Sequence, residues 1–180
     1  MGHEATVDDL YRVCGKAELV NGELVAVAPG GGTHGYASGE IFASLRDHAR
    51  RTRRGVALAD NVGFIVRLTH RGSFSPDAAY WVGEPLTEKF LEGAPAFAAE
   101  IRSPNDYGRT AERVFADKRA DYFAAGTLVV WDVDLRRQTV SVYRCASPAA
   151  PTMYVRGEQA EAEPAVPGWS MPVSDLFPPE

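Results

Sequence analysis

The chain is expected to fold as an α/β (α+β mixed) domain around a mixed β-sheet flanked by helices. Three observations carry this. Strand-like and helix-like segments alternate along 180 residues, a length that suits one domain spanning 1–180. "TLVVWDVD" is an unbroken apolar run of the kind buried on both faces at the centre of a sheet. "AELVNGELVAVAP" sets Asn21-Gly22 between two apolar stretches, and that pair supplies the positive φ angles of a tight hairpin turn.

Each element has its own signal. "TVDDLYRVC" reads as a short helix with Thr6 as N-cap and Asp9 at the capping-box position. The N-terminal hairpin follows, and "PGGGTHG" ends it. This glycine run lacks the lysine and hydroxyl residue of a phosphate-binding loop and reads as a flexible connector. From Thr33 to Arg51, the residues His34, Ala37, Ile41, Leu45 and His48 recur at three- and four-residue steps, giving a helix with one inward stripe. "VALADNVGFIVRL" reads as two strands kinked near Asp60-Asn61, "THRGSFSP" as a loop, "DAAYWV" as a strand and "GEPLTEKFLEGAP" as a surface excursion. "AFAAEIRS" is another strand, and "PNDYGRTAERVFADKRADYFAAG" a loop and then a helix closed by Gly126. The central "TLVVWDVD" turns at 134–137 into "RQTVSVYR". "CASPAAP" reads as a linker, "TMYVRG" as an edge strand, and "VPGWSMPVSDLF" as a helical tail packing Trp169, Leu176 and Phe177 onto the body.

Composition narrows the function classes. No apolar run approaches the about 20 residues that cross a bilayer, so no membrane partner is expected. The N-terminal segment has no apolar core of a signal peptide and no convincing myristoylation signal after Met1-Gly2, which points to a cytoplasmic protein. Cys14 and Cys145 have no metal-ligand spacing and are expected as reduced thiols. A net charge of −5 argues against a surface coated for nucleic acid, while leaving room for one local basic groove.

The chemistry centres on "FAAEIRSP". Side chains alternate along a strand, so Phe97, Ala99 and Ile101 share one face and Ala98, Glu100 and Arg102 the other. A carboxylate on such a strand needs a partner, because desolvation costs several kcal/mol. One reading is a structural Glu100–Arg102 ion pair. Asp77 opens another. It begins the preceding strand, with Pro76 fixing the approach, and two neighbouring strands then offer Asp77 and Glu100 to one place. Paired carboxylates demand a cation, and hard oxygens suit Mg²⁺ or Mn²⁺. Taken alone, Asp77 also fits a turn-capping role. Lys118 lies on the helical stripe of Ala111, Val114, Phe115, Tyr122 and Ala125, where it either snorkels or reaches the carboxylates. Two acids on adjacent strands with a nearby amine form a layout for metal-assisted phosphodiester hydrolysis.

These residues resemble the PD-(D/E)XK nuclease superfamily, of restriction-endonuclease-like fold, and within it the bacterial Uma-two family of restriction endonucleases. The resemblance runs through "AELVNGELV", His34, "SPDAAYWV", "AEIRSPND", "DKRADYFAAGTLVVWDVD" and "PGWSMPVSDLF", in order over nearly the whole chain. It implies that Asp77 and Glu100 are the metal-binding acids. The lysine usually found two residues after the second acid is replaced by Arg102, and Lys118 on the following helix takes its role. Glu18 matches an early glutamate that could ligate metal or water, and His34 a helix-start histidine near the phosphate. Arg102 and Tyr122 are implied as supporting residues. Val114 and Val130 depart from the family pattern and leave substrate contacts open.

Arg50, Arg51, Arg53 and Arg54 crowd the end of the second helix. They fit a solvated terminus favoured by the helix dipole, or a contact to the DNA backbone. The expected function is therefore a metal-dependent endonuclease acting on DNA as a homodimer. The alternatives are a non-catalytic nucleic-acid-binding or scaffold protein of the same fold, and a metal-dependent phosphoesterase acting on a small substrate.

Overall fold

The structure, a computed structural model, describes residues 4–179. Met1-Gly2, expected to carry no lipid signal, lies outside them. Helix α1 (Val7–Tyr11) starts at Thr6 with a reciprocal capping box to Asp9. Strands β1 (Ala17–Val20) and β2 (Glu23–Ala26) form the hairpin, and Asn21 and Gly22 take φ of 50° and 73° at its turn. The glycine run is the start of α2 (Gly32–Thr52) rather than a free connector, since Gly31 is its N-cap. Ala37, Ile41, Leu45 and His48 are buried along α2, as the three- and four-residue spacing requires.

Six strands make the main sheet in the order β11-β10-β9-β8-β6-β3. They are β3 (Val56–Leu58), β6 (Ala78–Trp81), β8 (Phe97–Ile101), β9 (Val129–Asp134), β10 (Thr139–Arg144) and β11 (Ser147–Val155). Neighbours run antiparallel except β8 and β9, which are parallel and joined across the sheet by α3 (Arg109–Ala124). Three short strands, β4 (Phe64–Ile65), β5 (Ser73–Phe74) and β7 (Leu91–Glu92), form a second sheet. Strands β12 (Gln159–Glu161) and β13 (Ser170–Pro172) pair with each other ahead of a 3-10 turn at Val173–Leu176.

The central strands are buried on both sides, which explains their continuous apolar sequence. Phe97, Ala99, Ile101, Trp131 and Val133 join one core with α2 and the tail. Ala79, Ala98 and Val130 join a second core with Phe64, Phe74, Leu91 and Tyr122. No helix among the described residues is long and apolar enough to cross a membrane.

Three further segments differ from expectation. "THRGSFSP" contains β5, and "GEPLTEKFLEGAP" contains β7, which pairs in parallel with β4. Two-residue strands are too short to leave a periodicity. The two strands expected in "VALADNVGFIVRL" are both present, with Asn61 at φ 66° between them, and lie in different sheets. "CASPAAP" is largely strand, because β11 begins at Ser147. Pro148 and Pro151 are tolerated there because one side of an edge strand needs no N–H donors.

The tail is held by aromatic packing. Trp169 stacks on Trp131 with ring centroids 4.9 Å apart, and its Nε1 donates to Ser44 Oγ on α2 at 3.0 Å. Trp169→Ala is expected to lower the unfolding free energy in urea by about 3–5 kcal/mol. A loss below about 1 kcal/mol would mean that the tail is not part of the core.

Candidate active site

Strand register brings the two acids together. Ala78 pairs with Ala99, so Asp77, one residue before β6, stands across from Glu100 on β8. Asp77 N donates to Ala99 O at 3.0 Å, and Ile101 N donates to Asp77 Oδ2 at 2.8 Å. Ser38 Oγ of α2 donates to the backbone oxygen of Asp77 at 2.6 Å. That bond fixes the first turns of α2 and sets His34 Nε2 at 3.2 Å from Asp77 Oδ2. The His34 ring lies so close over Gly30 that an added Cβ there would meet Nδ1 at 2.5 Å, so any larger residue would push the ring from its place.

Helix α3 supplies the amine. Lys118 Nζ lies 2.9 Å from Glu100 Oε1 and 2.9 Å from Glu18 Oε1, and Tyr122 Oη donates to Glu100 Oε1 at 2.6 Å. Glu18, on β1, also accepts from Ser75 N at 2.9 Å and from Arg71 Nη1 at 2.8 Å. Arg71 Nε reaches Asp121 Oδ2 at 2.6 Å. The result is an alternating chain of charges, Asp121, Arg71, Glu18, Lys118, Glu100, running from helix to hairpin to strand.

The environment pushes the acids apart. Burial raises the Asp77 carboxyl, but the hydrogen bond from His34 and the charge of Lys16 outweigh it and hold it well below the usual carboxylate range. Burial also raises Glu100; Lys118 opposes this, Asp77 and Glu18 add to it, and Glu100 remains above its ordinary value. Burial lowers Lys118, yet the charges of Glu100 and Glu18 win, and it stays an ammonium.

The structure thus brings together Asp77, Glu100, Lys118, Glu18, His34 and Tyr122. It does not bring Arg102 to them. The Glu100–Arg102 ion pair, one of the two readings of this strand, is absent among the described residues. Arg102 Nε and Nη2 donate to Asp132 at 2.7 and 2.8 Å, and it also pairs with Glu112. A guanidinium takes a carboxylate bidentately, and Asp132 and Glu112 together occupy its donors. The helical stripe also reads differently, since Val114 is 59% exposed and the inward face of α3 carries Asp121, Lys118 and Tyr122. Arg50, Arg51, Arg53 and Arg54 are exposed at the far end of α2. At 1.5 Å per residue, Arg50 stands about 24 Å along the axis from His34. The arginine cluster and the carboxylates are therefore separate surfaces.

Sequence reasoning missed Lys16, Arg71 and Asp121. Lys16 Nζ bonds Asp77 Oδ1 and Asp60 Oδ1, each at 2.7 Å. The two-residue alternation that turns Glu18 inward also turns Lys16 inward, and this was the available signal. Arg71 and Asp121 gave none, lying in an apparent loop and on an apparently polar helix face.

For a cation, the relevant oxygens are Asp77 Oδ1, taken by Lys16, and Glu100 Oε2, which receives no hydrogen bond from the described residues. No group of three or more His, Cys, Asp or Glu among the described residues is gathered as a metal site. Two carboxylates, with water and phosphate completing the shell, are a donor set that fits Mg²⁺.

His34 offers a check by pH. Its hydrogen bond to Asp77, opposed by partial burial, raises its pKa above the ordinary 6.5. Its stabilising contribution is complete below 6.5 and is lost as pH rises through the raised value. An NMR titration of the ring proton is expected to give a midpoint above 6.5, falling in Asp77→Asn. An unchanged midpoint in Asp77→Asn would show that Asp77 does not hold this proton.

The profile of the Uma2 family, described as "Putative restriction endonuclease", matches residues 7–174. No curated protein matches the chain. Among solved structures, the chain is similar to a crystal structure from Anabaena variabilis titled as a "putative nuclease belonging to DUF820". The TM-score is 0.74 at 20% identity, covering 96% of this chain and 97% of that one. With the profile spanning nearly every element described above, from α1 to the closing 3-10 turn, the chain belongs to the Uma2 family.

Proposed function

We propose that this protein is a Mg²⁺- or Mn²⁺-dependent endonuclease that hydrolyses DNA phosphodiester bonds. The observation that carries this reading is the convergence of Asp77 and Glu100 from paired strands, with the Lys118 ammonium 2.9 Å from Glu100. Membership of a family described as "Putative restriction endonuclease" supports it.

The chain's residues have distinct tasks in this proposal. Asp77 and Glu100 hold the ion, which supplies Lewis-acid polarisation of a phosphate and an acidified water. Ile101 N–H and His34 both engage Asp77 Oδ2 and so orient its Oδ1 towards the site. Lys118 is not a general base, because two carboxylates keep it protonated; its role is to meet negative charge developing on the phosphate. Glu18 and Tyr122 position Lys118 and Glu100. Arg50, Arg51, Arg53 and Arg54 contact the DNA backbone away from the cut, without reading sequence. With one site per chain, cutting both strands calls for a homodimer, acting in the cytoplasm.

A second reading, a non-catalytic nucleic-acid-binding or scaffold protein, is favoured by one observation. Lys16 and Lys118 already neutralise Asp77 and Glu100. Plasmid nicking separates the two. Under the main proposal, nicking requires Mg²⁺ or Mn²⁺, and Asp77→Asn, Glu100→Gln and Lys118→Met each slow it by about 100-fold or more. Full activity in Asp77→Asn would end the proposal, and divalent-independent DNA binding without nicking would favour the second reading. Replacing the four arginines with serine is expected to weaken duplex binding and flatten its dependence on log salt by about 0.9 for each phosphate no longer neutralised. An unchanged slope would return the cluster to a solvated helix end.

A further inference from the structure

We infer that Lys16 is a displaceable counter-ion: it occupies Asp77 Oδ1 until a divalent cation takes that oxygen, and Asp60 then retains its ammonium. This rests on the reading of Asp77 and Glu100 as the cation-holding pair.

The geometry distinguishes Lys16 from the other cations of the site. Asp77 Oδ2 is already engaged by Ile101 N–H and His34, which leaves Oδ1 as the oxygen free to meet a cation, and Lys16 Nζ sits on it at 2.7 Å. Lys118 lies between two buried carboxylates, Glu18 and Glu100, and among the described residues has no outward partner to move to. Lys16 instead spans a gradient. One partner, Asp77, has a side chain 6% exposed; the other, Asp60, is 43% exposed and equally close at 2.7 Å.

Asp60 is itself held ready. Its Oδ1 accepts from Asn61 N at 2.7 Å, at the left-handed kink where Asn61 takes φ 66°. An ion arriving at Asp77 Oδ1 places like charges in contact. The lysine stem is flexible, and its ammonium can break the inner bond while keeping the outer one. Burial of Asp77 without any cation is thereby avoided at every stage. The cost is competition: divalent binding at this site is weakened by the ion pair it must break.

Calorimetric titration of Mn²⁺ into the full chain tests this with Lys16→Met, Asp60→Asn and the double variant. Lys16→Met is expected to bind Mn²⁺ about tenfold or more tightly than the unmodified protein. Asp60→Asn is expected to bind more weakly, and that weakening should shrink about threefold or more once Lys16 is absent, because Asp60 acts through Lys16. An immobile lysine acting by charge alone predicts the same Asp60→Asn effect in both backgrounds, and that result overturns the inference. So does unchanged affinity in Lys16→Met while the unmodified protein binds Mn²⁺, which leaves the metal reading standing. If neither the unmodified protein nor Lys16→Met binds Mn²⁺, the metal reading falls and takes this inference with it. Thermal melting accompanies each variant; where Lys16→Met melts early, Lys16→Gln, which keeps the stem and a donor, takes its place in the cycle.

Discussion

Three carboxylates, Glu18, Asp77 and Glu100, are buried in one corner of this protein, and buried like charges persist only where cations meet them. Much of the chain's layout follows from that demand. Lys118 has to come from a helix lying over β8, so α3 forms the crossover of the single parallel strand pair in the main sheet. Lys16 and Glu18 have to come from a hairpin outside the main sheet, so that hairpin is tied down by its own bonds. Leu19 N donates to Ser73 Oγ at 2.8 Å, Gly72 N to Leu19 O at 2.8 Å, and Arg71 bridges Glu18 to Asp121. The two strand acids part company. His34 and Lys16 overcome burial and hold Asp77 ionised, while burial, with the charges of Asp77 and Glu18, outweighs Lys118 and pushes Glu100 the opposite way. Carboxylates in one site with opposed tendencies are the arrangement from which acid–base and ligand roles are usually built.

The sheet keeps this corner distinct from a second charged cluster on the same face. Glu100 stands opposite Asp132 in the β8–β9 register. Arg102, one step along its strand face from Glu100, takes Asp132 and Glu112, and Arg119 adds a further bond to Asp132 at 3.2 Å. With those partners satisfied, Arg102 is not available to the acids at 77 and 100. One strand therefore serves two centres, one acid-rich and held by lysines, the other centred on a guanidinium.

The parts of this architecture legible in the sequence were those with a local physical signature. Asn21-Gly22 announced the hairpin through backbone sterics, Thr6 and Asp9 announced α1 through reciprocal capping, and the apolar run at 129–134 announced a strand buried on both faces. Asp77 and Glu100 were legible because strand alternation and adjacency suffice to bring them to one place. What stayed hidden depended on long-range partners. Arg71 bonds residues 53 and 50 positions away in sequence, and no pattern around it signals either. The inward stripe of α3 was legible at Lys118 and Tyr122, which reach Glu100, but not at Val114, which is left to solvent, nor at Asp121, which joins the charged face. Short strands such as β5 and β7 exist only through their pairing with β4.

The margins of the main sheet bear on how these molecules behave when crowded. One margin is β11, nine residues long and almost wholly solvent-facing, yet Pro148 and Pro151 interrupt its row of amide donors and a register shift in the facing strand breaks its regularity. The other is β3, only three residues long and preceded closely by Arg53 and Arg54. Neither edge presents the long, flat, uncharged template on which sheets add to one another end over end. Runaway polymerisation is thus discouraged at both borders, and any pairing of chains is steered towards side-chain surfaces instead of shared backbone.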